Sequence, residues 1–379
     1  MGEFTKLLEP AQLGRLKLKN RAIMMPMATE MAGEDGSVSS MQIRYYERRA
    51  KGGVAMIIQE YTGVDDVDSI PTAHNLRIAQ DYQIQGLKQL VSAVHAHDCL
   101  IAAQIHHGGA TSNPERTGRQ NLSPSGIPID EGRPVPREMT KEDIRRIQRK
   151  FIDAAKRCKE AGYDAVELHG AHGYLIAQFL SKYYNRRTDE YGGSVENRCR
   201  FLGEIIDGIK EEIPDLPILV RICGDEFTEV PGFLTLDDGI EIGKYLEAKG
   251  IDAINISAGS ARNGEANCEP ASYESGWKKH LGLAFKEALS IPVIQTNTIK
   301  NPEFAEYLLE EGVSDFVGLG RSQLADPDFI NKAASGRSDE INECIGCMYC
   351  RRRVIAQGNS IGCAVNKALE ADEEYLDIN

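Results

Sequence analysis

The chain has 379 residues, of which 41% are hydrophobic and 27% charged, with a formal net charge of -13 at pH 7. Those proportions are globular rather than disordered, and the acidic balance argues against a nucleic-acid surface. No apolar run is long enough to span a bilayer, and Met1-Gly2-Glu3-Phe4-Thr5-Lys6 has no apolar core like that of a leader, so a cytoplasmic protein without membrane partners is expected.

Eight short apolar runs recur along the chain, at residues 22–27, 54–62, 100–106, 165–169, 218–223, 253–257, 293–296 and 316–320. Between them lie segments with apolar residues at helical spacing, among them 82–97, 141–161, 195–212, 236–249 and 302–311. Thr140, followed three residues later by Asp143, reads as an acidic variant of the capping box. Gly162 and Gly250 fall just past helix ends, where a left-handed residue is wanted. Eight strand–helix repeats predict an α/β fold, a closed (β/α)8 barrel, with an open parallel sheet as the competing arrangement. The barrel is expected over residues 1–337 and a short Cys-rich segment over 338–379.

In such a barrel the chemistry sits at the C-terminal ends of the strands. In order they read Met25-Pro26-Met27-Ala28, Gln59-Glu60-Tyr61, Gln104-Ile105-His106-His107-Gly108-Gly109, Glu167-Leu168-His169-Gly170-Ala171-His172-Gly173-Tyr174, Arg221 with Gly224-Asp225-Glu226, Ser257-Ala258-Gly259, Gln295-Thr296-Asn297 and Gly318-Leu319-Gly320-Arg321. Every end is polar, small or aromatic, so all eight are expected to face one pocket. Gly318, Gly320 and Arg321, just before a helical segment, can wrap and neutralise a phosphate. Arg221 can stabilise negative charge on a reduced flavin, and Gln104 can both donate and accept at a flavin's pyrimidine edge. Arg221 can equally serve as an internal partner of Glu167 or Asp225. His169 and His172 permit a zinc site, with Glu167, His106 or His107 as a third ligand. They also permit a pair of donors gripping a carbonyl oxygen, with Tyr174 protonating the far carbon. A structural His beside a core Tyr is the bland reading of the same residues. The loops 112–138 and 260–279, with Tyr61, Tyr273 and Trp277, are expected to shape the substrate pocket.

Of nine cysteines, Cys99, Cys158, Cys199, Cys223 and Cys268 are scattered and read mostly as buried small hydrophobes. Cys344, Cys347, Cys350 and Cys363 crowd the last tenth of the chain, a pattern that favours metal over disulfides in a cytosolic protein.

The stretch from Glu167 through His-Gly-Ala-His-Gly-Tyr-Leu, then Gln178-Phe179-Leu180-Ser181, then Asn185-Arg186-Arg187-Thr188-Asp189-Glu190-Tyr191-Gly192-Gly193-Ser194-Val195-Glu196-Asn197-Arg198, resembles the Old Yellow Enzyme family of flavin-dependent ene-reductases. It is most similar to the branch with 2,4-dienoyl-CoA reductase and enoate reductase. Further matches at 10–27, 104–109 and 317–327 extend the resemblance over about residues 4–366. The resemblance implies FMN at the barrel mouth, NADH or NADPH as reductant, and hydride transfer to an activated alkene. It places Pro26, Met27, Ala28, Gln104, Arg221, Asn297, Gly320 and Arg321 at the cofactor, and Glu60 is added to them by its position at the end of the second strand. His169 and His172 fall on the substrate carbonyl, and Tyr174 is the proton donor. Cys344, Cys347, Cys350 and Cys363 resemble ligands of a [4Fe-4S] cluster, with one residue fewer than usual between the second and third. A zinc knuckle or a vestigial site is the alternative. Two more departures stand out: Asn297-Thr298 where relatives carry Gly-Arg, and Ala28 where many carry Thr or Cys.

The chain stops at Asn379 without a Gly-x-Gly-x-x-Gly after a strand. Electrons are therefore expected either from a nicotinamide at the barrel mouth or from a separate electron-donor protein. The expected partners are a small unsaturated substrate and, as an open expectation, further copies of the chain. A dehydrogenase or demethylase on the same barrel and an electron-transfer subunit are the alternatives.

Overall fold

The computed structural model describes residues 4–370. The outer parts of the two expected segments, 1–3 and 371–379, lie outside the described residues. Eight parallel strands close into a barrel: β1 (Ala22–Met24), β2 (Met56–Gly63), β3 (Leu100–His106), β4 (Ala165–Gly170), β5 (Ile218–Asp225), β6 (Ala253–Ala258), β7 (Val293–Gln295) and β8 (Phe316–Leu319). Each is the apolar run expected from the sequence, shortened or extended by a few residues. Both faces of these strands are covered, so Val, Ile and Leu run nearly unbroken. Closure is made where β8 pairs with β1, Gly318 opposite Ile23.

A helix follows each strand: α1 (Ser40–Lys51), α2 (Ile84–His95), α3 (Lys141–Ala161), α4 (Val195–Glu212), α5 (Leu236–Ala248), α6 (Lys279–Ala288), α7 (Pro302–Glu310) and α8 (Phe329–Ala334). The capping box of Thr140 and Asp143 opens α3, and Gly162 closes it at φ 95°. An N-terminal hairpin of Ala11–Leu13 and Leu16–Leu18 contributes Leu13 and Leu18 to the apolar cluster that includes Ile23, Met56, Ala165 and Phe316. It is anchored there by Arg15, whose guanidinium bonds Asp252 Oδ1 at 2.9 Å. No helix among the described residues is long and apolar enough to cross a membrane.

After α8 the chain makes only short turns, Ser338–Glu340, Tyr349–Arg351, Arg352–Ala356 and Lys367–Leu369. Val354, Ile361 and Leu369 are its buried apolar anchors. The backbone N–H of Ile361 donates to the carbonyl of Thr29 at 2.8 Å, tying this segment to the ribbon that leaves β1.

Candidate active site

All eight strand ends open on one cavity of about 380 Å³. Met25, Tyr61, Gln104, His169, Arg221, Ser260, Thr296 and Gly318 contribute one wall residue from each strand end in turn. Gly318 is required where it stands: a Cβ there would lie 2.8 Å from Thr296 Cγ2 and 2.9 Å from Met25 Sδ.

A buried polar chain crosses the floor. Glu167 accepts from Gln104 Nε2 and from Asn255 Nδ2, each at 2.7 Å. Arg221 is the nearby cation. Burial pushes the Glu167 carboxyl up, and Arg221 pulls it part of the way back. Arg221 also donates to Ser257 Oγ at 3.2 Å, and Ser257 Oγ lies 2.6 Å from His172 Nε2. Ser257 Oγ thus bridges Arg221, which can only donate to it, and His172 Nε2. Arg221 lines the cavity, with its Nε buried and without a partner, and acts on Glu167 through its charge and not through a direct ion pair among the described residues.

His169 and His172 lie edge to face with ring centroids 5.1 Å apart, and Tyr174 packs 4.9 Å from His169. The turn that gathers them is left-handed at two successive residues, His172 at φ 61° and Gly173 at φ 79°. Such strain in a histidine persists only where its surroundings impose it, and clusters at functional sites. Burial holds both imidazoles well below the usual histidine range, with neighbouring His172 and Arg221 adding to the effect, so both are neutral. His169 Nδ1 is buried without a partner. Burial pushes the Tyr174 phenol up to about 12, which keeps it protonated at neutral pH. Tyr61 stacks on Tyr174 at 5.7 Å, and His106 packs against both.

Pro26, Met27, Ala28, Gln104, His169, His172, Tyr174, Arg221, Gly320 and Arg321 all line the cavity. Glu60 and Asn297 are not among its wall residues. Glu60 is buried behind the ribbon 26–28, and Asn297 Nδ2 turns to Gln295 Oε1 at 2.8 Å. Their neighbours Tyr61, Thr296 and Thr298 face the cavity instead, and Thr298 Oγ1 is buried without a partner. Arg321 donates to the backbone carbonyl of Glu269 and, at 2.8 Å, to its carboxylate, which also pairs with buried Lys278. This trio was not visible in the sequence, because its members lie on loops after β6 and β8. Of the two loops expected to shape the pocket, residues 260–270 supply wall residues and 112–138 none. Ile129 approaches only behind Gly173. Tyr273 and Trp277 pack on each other at 4.9 Å, outside the wall.

Cys344, Cys347, Cys350 and Cys363 are free thiols that line a second, small cavity of about 20 Å³. It shares Arg321, Leu324, Cys344, Gly346 and Cys350 with the large one. Among the described residues no three His, Cys, Asp or Glu side chains are gathered as the ligands of a single metal ion. Cys268, expected to be a buried hydrophobe, is only partly buried and also lines the large cavity.

The chain matches the sequence model of the NADH:flavin oxidoreductase / NADH oxidase family over residues 6–340. It belongs to that family. The resemblance to Old Yellow Enzymes read from residues 167–198 is borne out. The chain is 43% identical over 381 residues to an NADH oxidase of Thermoanaerobacter brockii, covering 100% of this chain and 58% of that protein. It is 39% identical over 331 residues to an NADPH dehydrogenase of Geobacillus thermodenitrificans (strain NG80-2), covering 87% of this chain and 94% of that one. Its fold is similar to that of 2-naphthoyl-CoA reductase in complex with 2-naphthoyl-CoA, with a TM-score of 0.92 at 28% identity, over 98% of this chain and 58% of that one. The chain thus spans little more than half the length of two of these relatives.

Proposed function

We propose that the barrel is an FMN-dependent ene-reductase drawing electrons from NADH or NADPH, and that it acts on an α,β-unsaturated carbonyl, acid or thioester. The observation that carries this reading is the triangle of His169, His172 and Tyr174 on one side of the cavity, with Gln104 and Arg221 on the neighbouring floor. FMN fits the residues present. Buried, unpartnered Arg221 Nε, His169 Nδ1 and Thr298 Oγ1 are polar atoms waiting for a ligand. When bound, FMN supplies hydride chemistry that no side chain can. Gln104 and Arg221 would hold its pyrimidine end, Pro26, Met27 and Ala28 its flank, and Gly320 with Arg321 its phosphate.

The neutral imidazoles orient and polarise the substrate carbonyl by donating to it. Tyr174 then gives its proton to the carbon next to that carbonyl, where charge develops. Its high pKa prevents loss of the proton before that moment. The names of the related NADPH dehydrogenase and 2-naphthoyl-CoA reductase support a nicotinamide reductant and a conjugated thioester as one substrate class.

We further propose residues 338–379 as a separate functional segment in which Cys344, Cys347, Cys350 and Cys363 hold a [4Fe-4S] cluster. Their convergence on one cavity that abuts the flavin cavity supports this. Bound there, the cluster supplies one-electron transfer, which leaves room for a separate electron-donor protein.

Replacing Tyr174 with Phe is expected to slow alkene reduction by about 100-fold or more while leaving flavin reduction by the nicotinamide unchanged. Stopped-flow measurement of the two half-reactions separates these. Equal rates for both proteins in both half-reactions would refute the role of Tyr174.

A further inference from the structure

Glu60 is fully enclosed, yet no basic side chain pairs with it among the ion pairs of the described residues. Four donors converge on it. The backbone N–H of Thr29 bonds Oε2 at 2.8 Å. Thr29 Oγ1, Gln42 Nε2 and Tyr46 OH bond Oε1 at 2.6, 2.9 and 3.2 Å. The donor roles are fixed by second partners. Gln42 Oε1 caps the Ser39 N–H at the start of α1, which turns its amide nitrogen toward Glu60. Tyr46 OH already accepts from the Glu60 N–H at 2.9 Å. A carboxylate accepts from all four; an amide would set its N–H₂ against the Thr29 N–H or the Gln42 amide, and a carboxylic acid accepts less strongly from both.

What Glu60 grips is Thr29, the residue after the cavity-lining ribbon Pro26-Met27-Ala28. Thr29 is held from the other side by Ile361, two residues before Cys363. We propose that Glu60 is a positioning residue that clamps Thr29, thereby fixing both the flavin-facing ribbon and the docking of the Cys-rich segment without touching the flavin. This rests on FMN occupying the cavity. Burial pushes the Glu60 carboxyl up to about 7, against the bonds from Thr29 and Gln42 that hold it down. Glu30 adds repulsion, and Tyr46, Tyr61 and Tyr163 are the other titratable groups around it. The clamp is thus set above neutrality and released below it.

The test is an FMN titration of the full chain from about pH 5.5 to 8.5, with hydrogen exchange at the Ile361 amide read in parallel. At high pH Glu60→Gln is expected to bind FMN about tenfold more weakly than the wild type, the loss of a hydrogen bond to a charged group. The gap should close as the pH falls through about 7, and Ile361 should exchange faster in the variant. The flavin phosphate, with a second pKa near ~6, titrates equally in both proteins and cancels in the difference. Should Glu60→Gln fail to fold, Thr29→Val removes one donor and keeps the carboxylate. It should weaken binding, while Thr29→Ser restores it. Wild-type affinity and an unchanged pH profile in the variants would overturn the clamp alone. A wild-type chain that binds no FMN would overturn the functional reading, and the clamp with it.

Discussion

The barrel mouth and the Cys-rich segment are neighbours built on opposite principles. At the mouth, Gln104, Glu167 and Arg221 are almost wholly buried and held by strands paired in register, Gln104 beside Glu167 and His169 beside Arg221. Their positions follow from the same apolar packing that folds the barrel. In the segment after α8, Cys347 is exposed, and Ile345 and Ile355 are 55% and 66% exposed. The backbone makes single turns secured by a few buried anchors. A site of the first kind is preorganised and pays for misplaced charge in stability. A site of the second kind leans on its ligand for order.

The largest effect should come from the mouth. Arg221→Ala strands the Glu167 carboxylate among neutral donors, and a cost of about 3 kcal/mol in unfolding free energy is expected, together with loss of FMN. Chemical denaturation measures it. An unchanged midpoint would mean that charge at the mouth is not tied to the fold.

A smaller, pH-dependent effect should come from His172. Its folded pKa lies below the unfolded value, so its contribution to stability is fully present above about pH 6.5 and lost as the pH falls below it. Relative to His172→Asn, the wild type should lose up to about 1.4 kcal/mol per pH unit below 6.5. Taking the difference removes the opposing contributions of Glu60 and Glu226, whose carboxyls burial pushes up to about 7 and about 8. A constant gap down to about pH 5.5 would show that His172 is not held neutral.

The smallest effect on the barrel should come from the segment. Cys347→Ser is expected to change barrel stability by less than about 0.5 kcal/mol while abolishing iron and sulfide uptake on anaerobic reconstitution. A large loss of stability in the variant without iron would erase the distinction between the two regions.

The same contrast explains what could be read from the sequence. The eight strands were legible because two-sided burial writes each one as an apolar run, and α3 because its caps and its apolar face agree. Helix α1 was not, since its buried face of Gln42, Tyr45, Tyr46, Arg49 and Ala50 is largely polar and carries an arginine of its own. The wall residues Gln104, His169, Tyr174 and Arg221 were legible because strand ends announce them. The Lys278–Glu269–Arg321 trio and the link from Thr29 to Ile361 were not, because each joins residues far apart in sequence. Glu60 shows the limit most plainly: strand position alone placed it at the cofactor, but its side chain turns behind the ribbon.

The central claim is that the barrel mouth holds FMN within reach of a nicotinamide and beside the His169–His172–Tyr174 triangle. The most direct measurement is the visible spectrum of the chain reconstituted with FMN under anaerobic conditions, before and after NADH or NADPH. The account predicts one flavin per chain, bleached by the nicotinamide and restored by an activated alkene. A chain that retains no flavin, or whose flavin neither reductant bleaches, would contradict it.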